Sequence, residues 1–471
     1  MLAIKVSVML LSFLIFARAG YDVATTPSTP APAPAVTTMA PQSAPVAIPA
    51  HILFIDKVTP AVYELPSGAL ATWRQFAANK PALVLFAAHP LLDPLHAGDR
   101  DAVRNFVLTA PPDELVRRGR ALTADPMLTS PQTLSAAIEA GLISELIFVQ
   151  PTTKASDKIS LSAFQQKAFA AGFFTEQEAL ALTLADGVIS GTVRGLPFRC
   201  VHPEKLPKLA GPVLVHIDLG YFKDLFVDDI KSPPYGLLYD LITAIRASGW
   251  STRAATLSYS NQEAEFSLET RFLISNLADV LERPEWLASG SPITWKMRAD
   301  ARYARAMIDE TTAEELTAQA VAVSPDDPDA LYDLAHLRLT QKRSEEALPL
   351  LDRATALDPG YALANLELIE IAVSLGNWKT AEELSRKAAA AMPDNPFIRI
   401  GLADLLIRRE RGSEALPLLR DLQQLPWSPA YHPDTPGLLR EMIEVAREQA
   451  AGKSAPEGVD KSPPQVQEVP R

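Results

Sequence analysis

The chain has 471 residues, 48% hydrophobic and 21% charged, with a formal net charge of −12. That length allows two or three domains with cores of their own. The acidic balance excludes sequence-independent nucleic-acid binding, which needs a basic surface against phosphates. A single cysteine, Cys200, excludes an internal disulfide and a cysteine-based zinc cluster; although His202 is two residues away, a buried structural thiol is the reading adopted.

The N-terminus reads MLAIKVSVMLLSFLIFARAG, with a cation at Lys5, an apolar stretch Val6–Phe16 and Ala17-Arg18-Ala19 before Gly20. This is the plan of a secretory signal peptide over residues 1–19. Its apolar run is shorter than the ~20 residues that span a bilayer. The expectation is export across the inner membrane to the periplasm or cell envelope, with no stable membrane insertion after cleavage. Residues 20–50 are nearly uncharged and rich in Pro, Ala and Thr, the composition of an extended, semi-rigid spacer.

Over residues 51–292 short apolar runs alternate with helix-like segments. The runs are Ile52–Ile55, Ala82–Phe86, Glu145–Val149, Val213–Ile217 and Arg253–Leu257. The helical segments are Pro131–Ala140, Leu161–Ala171, Thr175–Ala185, Gly236–Ala247 and Glu265–Leu281. Such alternation predicts an α/β domain with a mainly parallel sheet. Ligands of such sheets sit beyond the carboxyl ends of the strands. His89 follows one predicted strand and His216-Ile217-Asp218 ends another, so both stand where a site is expected. The segment GTVRG, Gly191–Gly195, reads as a turn, and no G-x-S-x-G, H-E-x-x-H or P-loop occurs.

Two of these stretches, LVLFAAHPLLD and VHIDLGYF, resemble the arginase and deacetylase type of α/β metallohydrolase. They are most similar to an uncharacterised family distantly related to arginase. Those proteins carry Asp-x-His-x-Asp after one strand and Asp-x-Asp after the other. Several carboxylates are needed there because two divalent ions together lower the pKa of a bridging water. Here His89 matches the histidine, but Ala87 and Leu91 stand at its flanking carboxylates. Asp218 matches the first aspartate of the second cluster, and Gly220 stands at the other. The resemblance implies an arginase-like domain that has lost its two-metal centre, a pseudoenzyme with no catalytic residues. His89, His216 and Asp218, with Asp93 in reach after a loop rearrangement, allow at most a single Zn, Mn or Fe ion. No other cofactor is expected. His96, Asp99 and Asp224 are further candidates for the same rim.

Residues 293–450 read as all-helical. Pro325, Pro359 and Pro393 are spaced 34 residues apart, twice in succession. This resembles the tetratricopeptide repeat, a helix–turn–helix unit of that length. Small residues recur at the helix crossings, as Ala335, Ala347 and Ala354, then Gly376, Ala381 and Ala388, then Ala403 and Ala415. Met297–Val323 reads as a divergent first unit and Leu438–Gln449 as a capping helix. Residues 451–471 read as a disordered tail.

The repeat resemblance implies a groove lined by Tyr332, His336, Leu339, Leu366, Glu370, Val373, Ile400, Asp404 and Ile407. An apolar groove of this kind takes a protein or peptide, or is filled by part of the same chain. The functional expectation is an exported scaffolding protein that binds protein partners through the array. The alternative is a mononuclear metal-dependent hydrolase whose array recruits substrate or partner.

Overall fold

A computed structural model describes residues 58–96, 98–151, 159–223, 225, 234–260, 267–286, 290 and 292–452. The expected signal peptide, the spacer, the strand Ile52–Ile55, Asp224 and the tail from residue 453 lie outside the described residues.

The strands are β1 Ala61–Tyr63, β2 Ala82–Phe86, β3 Glu145–Val149, β4 Thr183–Ala185, β5 Val188–Val193, β6 Leu196–Val201, β7 Pro212–Asp218 and β8 Ser251–Ser258. They form one sheet in the order β1-β8-β7-β2-β3-β6-β5-β4. The pairs from β1 to β6 are parallel, while β4–β5 and β5–β6 are antiparallel. The helices of this part are α1 Ala69–Trp73, α2 Arg100–Thr109, α3 Pro112–Arg118, α4 Thr133–Glu139, α5 Leu161–Ala170, α6 Glu176–Leu180, α7 Pro234–Ser248 and α8 Phe272–Glu282.

Side-chain alternation along β7 builds the two layers. Val213, Val215 and Ile217 face one way, into a cluster with Leu241, Ile242 and Ile245 of α7 and Phe272 and Leu277 of α8. Leu214 faces the other way, into a cluster with Leu70 and Trp73 of α1, Val107 of α2 and Leu134 of α4. Each fully buried side chain of this size contributes roughly 1.5–3 kcal/mol. The central strands therefore read as continuous apolar runs, and β2 and β3 have the bounds the sequence predicts.

The predicted helix Thr175–Ala185 is corrected. A capping box between Thr175 and Glu178 starts a helix that stops at Leu180. Thr183–Ala185 is instead the edge strand β4, paired with β5. Asp186 and Gly187, at φ 52° and 73°, make the tight hairpin turn that favours pairing over helix. The same device joins β5 to β6 at Arg194-Gly195, so Gly191–Val193 of the predicted turn is strand.

The C-terminal part is an all-helical array. Its helices are α9 Ile293–Ala306, α10 Glu310–Val323, α11 Pro328–Thr340, α12 Ser344–Leu357, α13 Ala364–Ser374, α14 Trp378–Ala391, α15 Pro396–Arg408, α16 Gly412–Gln423 and α17 Thr435–Ala450. Ile308, Lys342, Gly376 and Glu410, each 34 residues after the last, have φ between 59° and 68° in the turns within the four helical pairs. The local backbone thus repeats with the sequence period. α17 caps the array, packing Leu439, Met442 and Ile443 against Leu402, Leu406 and Leu419. Trp295 of α9 belongs to the α7–α8 cluster and stacks on Tyr235 at 5.2 Å. The change to all-helical structure is therefore not a break in packing.

Candidate functional site

The chain leaves β2 toward β3 on one side and β7 toward β8 on the other, although β2 and β7 are neighbours. This is the switch point of an open parallel sheet, and the crevice beyond its carboxyl ends is where ligands bind. His89 lies three residues past β2, and Asp218 is the last residue of β7. The two sequence stretches that carry the metallohydrolase resemblance thus meet at this place.

Asp218 is buried. It accepts hydrogen bonds from the Gly220 N–H at 2.9 Å, from the Ser258 hydroxyl at 2.5 Å and from the Ser260 hydroxyl. One step down the same face, His216 has Nδ1 2.9 Å from Thr256 Oγ1 and Nε2 3.2 Å from Ser258 Oγ. Trp73 donates its indole N–H to Thr256 Oγ1 at 3.1 Å and sets its ring edge-on to His216.

With Asp218 ionised, these contacts select the tautomer. The single Ser258 proton goes to Asp218, so Ser258 Oγ must accept from His216, whose proton then sits on Nε2. Nδ1 is left as an acceptor for the Thr256 hydroxyl, which also has the Val215 carbonyl as acceptor at 3.2 Å. The result is a directed chain from Trp73 through Thr256, His216 and Ser258 to Asp218. Burial keeps the imidazole neutral, with a pKa pushed down to about 3. Burial also raises the Asp218 pKa, against the opposing pull of its three donors and of His89.

The loops around the crevice are strained. Leu91 after β2 and Ser260 after β8 have φ 53° and 48°, in the left-handed region that side-chain-bearing residues avoid. His89 Nδ1 is buried and has no hydrogen-bond partner among the described residues. Asp93 is raised in pKa by burial, offset by His89 and Arg194.

The donor set does not fit a metal centre. Both ring nitrogens of His216 are engaged by hydroxyls, and Asp218 already accepts three hydrogen bonds. Among the described residues no group of three or more His, Cys, Asp or Glu is placed to hold a metal ion, so His89, Asp93, His216 and Asp218 are not brought together as ligands. Cys200 is buried and its pKa is pushed up to about 12, which leaves no thiolate for nucleophilic work.

The array is seated on loops that leave the carboxyl ends of the strands. Beyond β1 and β8, Arg271 joins Glu64 to Asp358 of the array at 2.6 Å on each side. Glu269 meets Arg305 at 2.9 Å and His336 at 2.5 Å, and Arg298 of α9 lies over the Phe272 ring of α8 at 4.9 Å. Beyond β2, the His96 ring packs on Tyr431 at 4.8 Å. Nearby, Tyr431 donates to Gln132, and His432 and Ser428 bond the backbone of Thr123 and Ala124.

The nine expected groove residues divide accordingly. Tyr332 is buried, stacked on Tyr361 at 4.7 Å and clustered with Leu268 of the α/β domain. His336 faces Glu269. This end of the groove is therefore filled by the same chain. Ile400 and Asp404 are buried, the latter ion-paired to Arg408 at 2.7 Å. Leu339, Leu366, Val373 and Ile407 are half-buried, and Glu370 is exposed.

The third helical pair opens apolar side chains to solvent where its neighbours do not. Leu337 and Leu405, at matching positions of α11 and α15, are 3% and 7% exposed, whereas Ile371 of α13 is 54% exposed. Glu314 pairs with Arg343 at 3.0 Å and Glu382 with Arg411 at 2.5 Å, stapling the first pair to the second and the third to the fourth. At the middle junction Leu348 and Asn377 take those places, and the second and third pairs are joined instead by Lys387 of α14 and Asp352 of α12 at 2.8 Å. α13 is also entered by a 3-10 turn, Pro359–Leu363, unlike α11 and α15, which start directly at a proline.

Sequence reading missed Ser258, Ser260, Thr256 and Arg271. The Ser258-Tyr259-Ser260 run at the end of an apolar strand was a usable signal, whereas nothing local marks Arg271. No curated protein matches the chain. The tetratricopeptide repeat family model matches residues 304–366, 338–384 and 372–425, so residues 304–425 are a tetratricopeptide repeat region.

Proposed function

We propose that this protein is an envelope scaffold that binds a protein partner through the middle of its repeat array. Tetratricopeptide repeats support a protein–protein interaction role, and the observation that carries the finer reading is the exposed apolar pair Ile371 and Leu375, 54% and 77% exposed, at the end of α13. The α/β domain engages both ends of the array and the turn entering α13, while Ile371 and Leu375 at the other end of that helix stay exposed. Export rests on the signal-peptide pattern of residues 1–19, and the mass of the mature N-terminus tests it.

The test of partner binding is site-specific photo-crosslinking in the native host. A photoreactive residue at Ile371 or Leu375 should trap a protein partner, and one at the exposed Leu108 of α2 should not. Equal trapping at all three positions, or none at any, would discard the reading.

The α/β domain is read as a non-catalytic module with an arginase-like ancestry. The place of HIDLGYF and of His89 at the switch point supports the ancestry, and the hydroxyl partners of His216 and Asp218 support the loss of metal chemistry. Metal content of the purified protein, beside His89→Ala and Asp218→Ala variants, tests this. About one equivalent of Zn, Mn or Fe, lost in both variants, would restore the hydrolase alternative.

A further inference from the structure

We infer that Arg271 couples the seating of the repeat array to the geometry of the Asp218 carboxylate. The guanidinium is 1% exposed and sits between the two parts of the molecule. Its Nε and Nη2 donate to the two Asp358 oxygens at 2.6 and 2.9 Å. Its Nη1 and Nη2 donate to the two Glu64 oxygens at 3.0 and 2.6 Å. Such paired forks fix a guanidinium in plane and in register.

From Arg271 the link runs to the crevice in two short steps. The guanidinium lies 3.4 Å from the centre of the Tyr259 ring, and the Tyr259 and Ser260 N–H groups bond the carbonyls of Tyr63 and Glu64 at 3.0 and 2.8 Å. Ser260, held in its strained left-handed conformation, then donates its hydroxyl to Asp218. A shift of Arg271 therefore moves the residue that fixes one Asp218 oxygen.

On the array side the fit is equally close. Asp358 Oδ1 also accepts the Gly360 N–H at 2.9 Å, so the carboxylate that holds Arg271 caps the turn entering α13. A Cβ on Gly360 would come within 2.1–2.6 Å of the guanidinium atoms. A parallel contact runs from the Tyr259 hydroxyl to Ser275 at 3.2 Å and from Ser275 to Asp329 of α11 at 3.5 Å. Packed groups with no slack pass displacement on rather than absorb it. A protein seated at the junction next to α13 would thereby be felt at the crevice. The coupling holds whatever the crevice binds.

Hydrogen exchange of the full chain tests it with three variants. Asp358→Asn weakens the array side of the fork; Glu64→Gln weakens the sheet side. Asp333→Asn breaks the pairs to Arg298 and Arg302 within the array, beside that interface, without touching Arg271. Coupling predicts that Asp358→Asn speeds exchange of Ser260 and Gly220 by about tenfold, with β3 unchanged. By reciprocity Glu64→Gln speeds exchange in the Pro359–Leu363 turn, and Asp333→Asn leaves Ser260 and Gly220 as they were. Changes confined to the array in Asp358→Asn would overturn the inference. So would equal acceleration by Asp333→Asn, or acceleration spread evenly into β3. Should Asp358→Asn not fold, Glu64→Gln decides by the same criterion.

Discussion

Ser258 stands between two groups of opposite need, donating to Asp218 Oδ2 at 2.5 Å and accepting from His216 Nε2 at 3.2 Å. Neither group reaches bulk water, since His216 and Asp218 are both buried. The hydroxyl lets a neutral imidazole and a carboxylate share one small space without a charge pair. That arrangement accounts for a histidine and an aspartate at the end of an otherwise apolar strand.

Removing that hydroxyl leaves an imidazole N–H without its acceptor and a carboxylate oxygen with one donor fewer. Ser258→Ala should therefore cost about 1–3 kcal/mol, the range for orphaning buried polar groups. Urea unfolding should show a lower midpoint at unchanged slope. A loss below about 0.5 kcal/mol would mean that water replaces Ser258 without penalty.

His216 should make stability fall in mild acid. Its pKa is about 3 in the fold against 6.5 in the unfolded chain. Between those values the unfolded chain binds a proton that the fold refuses. The stabilising contribution is complete above pH 6.5 and is lost as pH falls toward 3. At pH 5 the loss is about 2 kcal/mol relative to neutral pH. Asp329, whose pKa is raised by burial, has the opposite sign, so the total curve mixes the two. The clean measurement is the difference in stability between the native chain and His216→Gln at each pH. That difference should shrink by about 2 kcal/mol between pH 7 and 5; a flat difference would show that His216 does not titrate this way.

Gly360→Ala should destabilise by about 1–3 kcal/mol, because the new methyl group meets the Arg271 guanidinium. In an Arg271→Ala background the same change should cost little, since the obstructing group is gone. A double-mutant cycle by thermal unfolding reads this as strong non-additivity. Additive effects would mean that the glycine is required by its backbone alone.

Gly412→Ala should loosen the cap of the array. A Cβ there would lie 2.4 Å from the Ala446 carbonyl oxygen of α17, and backbone cannot swing aside as a side chain can. The cost should be about 1–3 kcal/mol, and limited proteolysis should release α17 before it cuts the sheet. Unchanged protection of α17 would show that the helix slides to make room.

The sequence by itself determined the repeat array and the central strands. The array is legible because each unit is a local helical hairpin, and Ile308, Lys342, Gly376 and Glu410 carry its period into the backbone. β2 and β3 are legible because both faces of a central parallel strand are buried. The edge hairpins were not legible, since the Asp186-Gly187 turn and pairing with β5 outweigh the helical look of Thr175–Ala185. Only the tertiary structure decided what the crevice and groove became. His216 gains its partners from a strand 40 and 42 residues on, and Arg271 from Glu64 and Asp358, 207 and 87 residues away. Contacts at such separations leave no periodic trace in the chain; they exist because the sheet order sets β7 beside β8 and seats the array on the loops beyond β1 and β8.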